Sequence, residues 1–200
     1  MNMGKVTAGF TMSLDGFIAG PNDEVDRLFR WYSSGDTDFP VAGSPMVFKI
    51  SRASAELLRE EWGALGAIVT GRRDFDVSEA WGGASPLGVP IFIVTHRIPS
   101  EWAKAESPFT FVTEGVESAI AKARQAAGDK NVAVGGSKIV QQCLKAGLLD
   151  ELHIDLAPIL LGAGIRLFDH LGTASVELES TRVVDALGVT HLRFRVIKEE

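Results

Sequence analysis

This chain has little of what marks several common protein classes. Its 200 residues include one cysteine, Cys143, so no disulfide within the chain and no thiolate metal cluster can form. Cys143 falls on the apolar side of an expected helix, where a thiol is a small inert hydrophobe. Positive charge is also short: 20 Lys and Arg face 26 Asp and Glu, a formal net charge of −6. Binding to nucleic acid or to an anionic membrane needs the opposite balance, so neither partner is expected. The longest apolar segment, 156–165, is broken by Pro158, Gly162 and Gly164 and is too short to span a bilayer. No continuous apolar stretch precedes Asp15, so no signal peptide is read and a cytoplasmic location is expected. The four histidines form no His-x-x-x-His pair, and no metal is expected. A Gly-x-Gly-x-x-Gly turn is missing after the first expected strand. Gly135-Gly136-Ser137-Lys138 lacks the upstream glycine of a Walker A loop.

What remains is ordinary globular material, 46% hydrophobic and 23% charged. That supports one core, read as a single domain over 1–200, without repeats or low-complexity tracts. Four strand-end stretches stand out, three of them bearing glycine: Met12-Ser13-Leu14-Asp15-Gly16, Val69-Thr70-Gly71-Arg72-Arg73, Ile93-Val94-Thr95-His96-Arg97 and Val134-Gly135-Gly136-Ser137-Lys138. Each follows an apolar run rich in β-formers, and two open an expected helix. Strand end, turn and helix N-terminus together present free N–H groups and a positive dipole end to an anion. Several such turns suggest a ligand with more than one phosphate, such as a dinucleotide.

The element order follows from periodicity. A bent strand is expected over 4–19, a short helix over 24–32 with Leu28, Phe29 and Trp31 inward, and a loop acting as a lid over 33–48. Helices are expected over 50–62 (with Gly63 at its C′ position), 72–77, 116–127 and from Ser137, read as its cap, to Gly147. Strands are expected at 67–70, 90–95, 109–112, 131–134 and 149–157. Two long runs, 175–185 and 189–197, joined through Ala186-Leu187-Gly188, read as a hairpin. The sum is an α/β fold: a mostly parallel central sheet flanked by helices, with an antiparallel C-terminal hairpin. An apolar edge of that kind seeks a partner, so a homodimer is expected.

Some residues allow two readings. Arg72 and Arg73 either start a solvated helix or contact phosphate, for which paired guanidinium donors are suited. Gly135 and Gly136 either make a plain turn or admit a ligand where a Cβ would clash. Asp15 either bonds its own turn or serves catalysis by orienting substrate or water. Phe10 and Trp81 either pack internally or stack on a flat substrate. Glu151, His153 and Asp155 share one face of a strand, as a packed, hydrogen-bonded surface would.

Five segments, in order, carry a resemblance. Ser13-Leu14-Asp15-Gly16 with Ile18-Ala19 resembles the opening of the pyrimidine reductase domain of riboflavin synthesis, the RibD C-terminal domain. Thr70-Gly71-Arg72-Arg73-Asp74-Phe75 is similar to the Gly-Arg-x-Thr turn of dihydrofolate reductase. Val134-Gly135-Gly136-Ser137-Lys138-Ile139 resembles the glycine-pair turn of that enzyme. Leu149-Asp150-Glu151-Leu152-His153-Ile154-Asp155 and the stretch from Pro158 to Gly164 resemble segments of the riboflavin reductases. The resemblance spans about residues 5–197 and implies a dihydrofolate-reductase-like fold using NADPH. It implies that Thr70, Gly71, Arg72 and Arg73 meet phosphates, that Thr95, His96 and Arg97 hold the adenosine 2′-phosphate, and that Gly135, Gly136, Ser137, Lys138 and Ile139 meet the pyrophosphate and nicotinamide. The activity implied is hydride transfer to a small flat nitrogen heterocycle. A non-catalytic NADP-binding regulator of the same fold is the alternative. The pocket is expected between the first strand, the 33–48 segment, Gly135 and residues 160–164.

Overall fold

The computed structural model describes residues 4–103, 106–172 and 175–198. Strand β1 (Val6–Ser13) turns at Gly16 into the short β2 (Phe17–Ala19), and a 3-10 turn follows at Leu28–Ser33. Strands β3 (Thr37–Pro40) and β4 (Val47–Ile50) form a small antiparallel hairpin. Helix α1 (Arg52–Gly63) starts at Ser51, whose hydroxyl accepts from the Ser54 N–H at 3.2 Å. Next come β5 (Leu65–Gly71), α2 (Arg72–Val77), β6 (Ile91–Val94), β7 (Phe109–Val112), α3 (Val116–Ala127), β8 (Asn131–Val134) and α4 (Ser137–Lys145). The chain ends with β9 (Glu151–Ala157), the two-residue β10 (Ile165–Arg166), β11 (Leu178–Ala186) and β12 (Val189–Val196).

Eight of these strands form one sheet in the order β11-β12-β9-β1-β8-β5-β6-β7. From β9 to β7 every pairing is parallel, and β12 and β11 join antiparallel at one edge. This is the expected mostly parallel sheet with an antiparallel terminal hairpin.

Alternation along the strands divides the two faces. Val6 and Ala8 of β1, Val132 and Val134 of β8, and Leu152 and Ile154 of β9 point to one side. There Val116, Ala119, Ile120 and Ala123 of α3, with Ile139, Val140 and Cys143 of α4, cover them in the largest core cluster. Burial pushes the Cys143 thiol up to about 12, the inert state expected of it. The opposite face carries two smaller apolar clusters with a gap between them. One gathers Trp31, Phe39, Ile50, Ala55, Leu58 and Val189 under α1. The other gathers Phe75, Ala80, Ile91, Ile93 and Phe109 around α2.

Four local expectations are corrected. Residues 33–48 are not a plain loop: most of the β3–β4 hairpin lies there, and Phe39 and Ile50 tie it to the core under α1. Phe29 in the preceding turn points outward, at 37% exposure, while Leu28 and Trp31 are buried. Helix α4 is capped by Gly136 rather than Ser137, with no side-chain hydrogen bond at the cap, and Gly63 closes α1 within the helix, leaving Ala64 as the cap. No helix among the described residues is long and apolar enough to cross a membrane.

Leu152 sits at the centre of the main cluster, 2% exposed. Leu152→Ala is expected to cost about 3 kcal/mol and to lower the melting temperature by roughly 6–12 °C. Urea and thermal unfolding check this.

Candidate active site

Beside α1 lies a cleft of about 630 Å³ over β9, β1, β8 and β5. Its floor is made of small side chains: Thr7, Gly9 and Thr11 of β1, Ala133 of β8, and Gly135 just beyond it. Gly9 is exposed although β1 lies deep within the sheet. A Cβ there would meet nothing nearer than His153 Cβ at 3.9 Å. The walls are aromatic, with Phe10, Phe29, Tyr32 and Trp62, and Leu58 between them. Neither residues 33–48 nor 160–164 line this cleft.

One end of the cleft reaches the strand-end turns. Thr70-Gly71 ends β5, Thr95 follows β6 and Gly135-Gly136 follows β8, and these three strands are neighbours or near neighbours in the sheet. Gly136 has φ +75°, which favours glycine, and a Cβ on Gly135 would lie 2.9 Å from Thr70 Oγ1. The glycine pair therefore has an intramolecular reason besides any ligand. Arg72 is held by Asp76 at 2.6 Å, and its Nη1 reaches the Arg97 carbonyl at 3.4 Å, which links two of the turns. Arg73 makes a two-pronged pair with Asp23, at 3.0 and 2.9 Å to its two oxygens. The Thr95 hydroxyl donates to the Arg97 carbonyl at 2.8 Å, while His96, Arg97 and Lys138 are exposed. Ile139 is buried and packs beneath Gly71. Asp74 also sits in this corner, accepting from Thr70 Oγ1 at 2.7 Å, and burial raises its pKa.

A phosphate group fits this corner in most respects. Helix α4 has no side-chain cap, two glycines precede it, and Arg72, Arg97 and Lys138 surround the turns. The Asp74 carboxylate faces the glycine pair, its Oδ2 lying 3.4 Å from where a Gly135 Cβ would be.

Two residues expected to serve catalysis and substrate stacking, Asp15 and Trp81, do not line this cleft. The Asp15 carboxylate accepts from Ser13 Oγ at 2.6 Å and from the Leu161 and Gly162 N–H groups at 3.1 and 2.7 Å. It clamps the β1–β2 bend to the loop after β9, outside the cleft lining. Trp81 follows Glu79 and Ala80 through a left-handed turn, φ 48–52°, closed by Gly82 and Gly83. That turn swings the indole onto Phe75 and Phe109, ring centroids 6.1 and 6.0 Å away, so it packs in the α2 cluster. Phe10 does border the cleft, and it also rests against the main core.

The residue pattern did not reveal a polar layer between α1 and the sheet. Arg193 of β12 is 4% exposed; it grips both oxygens of Glu61 on α1, at 2.5 and 3.0 Å, and donates to Asp155 Oδ1 at 3.0 Å. His191, fully buried, pairs through Nδ1 with Asp155 Oδ1 at 2.7 Å and through Nε2 with Ser54 Oγ at 2.8 Å. His153 lies between Glu61 and Glu151, and Glu151 reaches Lys5. Burial alone would raise the Asp155 pKa; the His191 hydrogen bond and the Arg193 charge outweigh it and hold it below the ordinary range. The alternation Glu151, His153, Asp155 was the visible half of this layer. Its other half, His191 and Arg193, shows in sequence only as two polar residues alternating with the apolar Leu192 and Phe194.

The RibD C-terminal domain model matches residues 4–187. The chain belongs to that family. The Bacillus subtilis protein YwjB, itself uncharacterized, is 23% identical over 167 residues, 84% of each chain. A protein from Shewanella sp. PV-4 assigned to riboflavin biosynthesis superposes with a TM-score of 0.73 at 22% identity, covering 97% of this chain and 99% of that one. Dihydrofolate reductase from Enterococcus faecalis, solved with NADP(H), gives 0.60 at 16% identity, covering 98% of each chain. The dihydrofolate-reductase-like fold is thereby shown.

The Asp15 clamp has a pH signature. Its hydrogen bonds, that from Ser13 foremost, lower its pKa from 3.8 to about 2. A lowered carboxylate pKa stabilises the fold above the unfolded value and loses that effect as pH falls through the folded one. Asp15→Asn is expected to melt below the parent at pH 7. The gap should close between pH 4 and 2, as followed by circular dichroism.

Proposed function

We propose that this protein is an NADPH-dependent reductase that transfers hydride to a small flat nitrogen heterocycle of the pteridine or aminopyrimidine type. One observation supports this above the others: Gly135 belongs both to the glycine turn ending β8 and to the floor of the aromatic-walled cleft. A dinucleotide lying along the strand ends would bring its nicotinamide to the edge of a flat, partly enclosed space. Family membership and the fold shared with dihydrofolate reductase point the same way. When bound, the nicotinamide supplies a hydride from its C4.

The chain's own part is binding, orientation and exclusion of water. Arg72, Arg97 and Lys138 offer charge-assisted hydrogen bonds to phosphate, with Arg72 exchanging its Asp76 partner. Tyr32 and Trp62 face an open floor at Gly9, which admits a planar ring. Glu61 and Arg193 keep α1 above that floor.

The test is a titration with NADPH, NADP and NADH followed by tryptophan fluorescence, then NADPH oxidation across pterins, folates and aminopyrimidines. Tight NADPH binding, weaker NADH binding and a roughly tenfold to hundredfold loss in Arg72→Ala and Arg97→Ala are expected. Gly9→Val should keep the fold and NADPH binding while abolishing turnover, because its side chain fills the floor. No nicotinamide binding overturns the reading; binding without oxidation of any substrate favours the regulatory alternative.

The homodimer belongs to the same proposal. Strand β11 is an open sheet edge, with Leu178 and Val183 exposed at 42% and 60%. Light scattering is expected to give twice the chain mass of 21.5 kDa, and a monomer alone would refute the edge as an interface.

A further inference from the structure

The corner that suits a phosphate has one member of the wrong charge. Asp74 lies in the first turn of α2, with its carboxylate against the glycine pair. Its Oδ2 is 3.4 Å from where a Gly135 Cβ would be, and its Cβ is 3.8 Å from where a Gly136 Cβ would be. Thr70, fully buried near the end of β5, donates its hydroxyl to Oδ2 at 2.7 Å and so fixes the side chain. Among the described residues Oδ1 accepts no hydrogen bond, and no salt bridge reaches this carboxylate. Burial raises the Asp74 pKa, and the Thr70 hydrogen bond offsets only part of that rise.

The charged groups around it come from three elements. On α2, Arg72 is held by Asp76 and Arg73 by Asp23 of the turn after β2. His96 and Arg97 follow β6, and α4 brings Lys138; β5 and the Gly135-Gly136 turn bring no charged side chain. A phosphate resting on the glycine pair would face Asp74 at close range. Two anions in one poorly solvated corner cannot both keep their charge. The diester oxygens of a pyrophosphate are the stronger acid and stay ionised, so the proton goes to the carboxylate. Once protonated, that carboxyl becomes a donor, and an O–H donating to an anionic oxygen makes a short, strong hydrogen bond. The Gly-Arg-x-Thr turn that this segment resembles has threonine at the corresponding position, a donor at every pH; Asp74 donates only when protonated.

We propose that Asp74 is a proton-dependent phosphate ligand: as a pyrophosphate settles on Gly135 and Gly136, one proton from solvent passes to Asp74 Oδ1, and that O–H donates to a phosphate oxygen. Thr70 is the positioning residue, because its hydroxyl occupies Oδ2 and leaves Oδ1 for the ligand. The inference rests on the reading of this corner as the seat of a nicotinamide dinucleotide. It makes dinucleotide affinity fall as pH rises. Between the Asp74 pKa of the free chain and the higher one of the complex, each pH unit weakens binding by up to about tenfold.

The probes are NADP and NAD, which withstand acid and share the pyrophosphate. They are titrated into the full chain by calorimetry in two buffers of different ionisation enthalpy, and by tryptophan fluorescence from pH 5 to 8. Net proton uptake on binding is expected, with affinity at least roughly tenfold weaker at pH 8 than at pH 6. NAD lacks the 2′-phosphate, and with it that group's own titration and any answering change at His96, so it should show the same pH dependence at lower affinity. Asp74→Asn keeps an acceptor for Thr70 and presents a permanent donor. It should take up no proton with NAD and should bind NADP at least roughly tenfold more tightly than the parent at pH 8, the two converging at pH 5. Asp74→Ala removes the charge without supplying a donor, so it should lose the pH dependence yet bind less tightly than Asp74→Asn. Dinucleotide binding without proton uptake overturns the proposal and leaves the reductase reading standing. So does uptake that survives with NAD in folded Asp74→Asn, an Asp74→Asn affinity at pH 8 no higher than the parent's, or an Asp74→Ala affinity equal to that of Asp74→Asn. Absence of binding by either dinucleotide across this pH range overturns both. Proton-linked binding without oxidation of NADPH by any heterocycle counts against the reductase reading and leaves this inference standing.

Discussion

The contact between Arg193 and its two carboxylates governs the shape of this molecule. Helices usually lie on sheets through apolar side chains, and α3 and α4 do so here. Helix α1 joins a small apolar cluster through Ala55 and Leu58, but toward its two ends it meets the sheet through Ser54 and Glu61, which reach His191 and Arg193. Such a layer adds little net stability, because the cost of desolvating the charges offsets most of their attraction. What it provides is geometry. The long guanidinium holds the helix away from β1 and β8, and the space left beneath is the cleft. Removing one partner would strand a buried charge, a loss of roughly 3–5 kcal/mol.

A second constraint comes from the parallel strands. Parallel pairing directs the C-terminal ends of β1, β8, β5 and β6 to the same side of the molecule. The turns at Gly71, Thr95 and Gly135 therefore gather along one edge although some 60 residues separate the first from the last. The Asp15 clamp works at the same end, fastening the bend after β1 to Leu161 and Gly162. The glycine turns thus stand at one end of the candidate site, and the polar layer forms its interior.

How much of this was legible in sequence depended on the range of the interactions involved. The parallel core strands and the terminal hairpin follow from local apolar runs and turn residues, and they were expected at nearly the observed positions. The β3–β4 hairpin was not, because Pro40, Gly43 and Pro45 signal a loop while the Phe39 and Ile50 anchors show only in packing. Trp81 read as a candidate stacking residue because nothing local announces a left-handed turn at Glu79 and Ala80, two residues without glycine's freedom. The polar layer was hidden for a different reason. Ser54 meets His191 across 137 positions and Glu61 meets Arg193 across 132, and no local pattern reports such distant pairs.

The two faces of the sheet explain why one small fold can hold both a rigid core and a wet cleft. Residues adjacent along β9 serve opposite ends: Leu152 and Ile154 close the main core, while Glu151, His153 and Asp155 line the cleft. Because side chains alternate with period two, no register shift could move one set without exchanging both. The apolar set therefore locks the polar set in place. Asp155 is accordingly positioned by the same packing that stabilises the fold. A site assembled in this way is as rigid as the sheet that carries it.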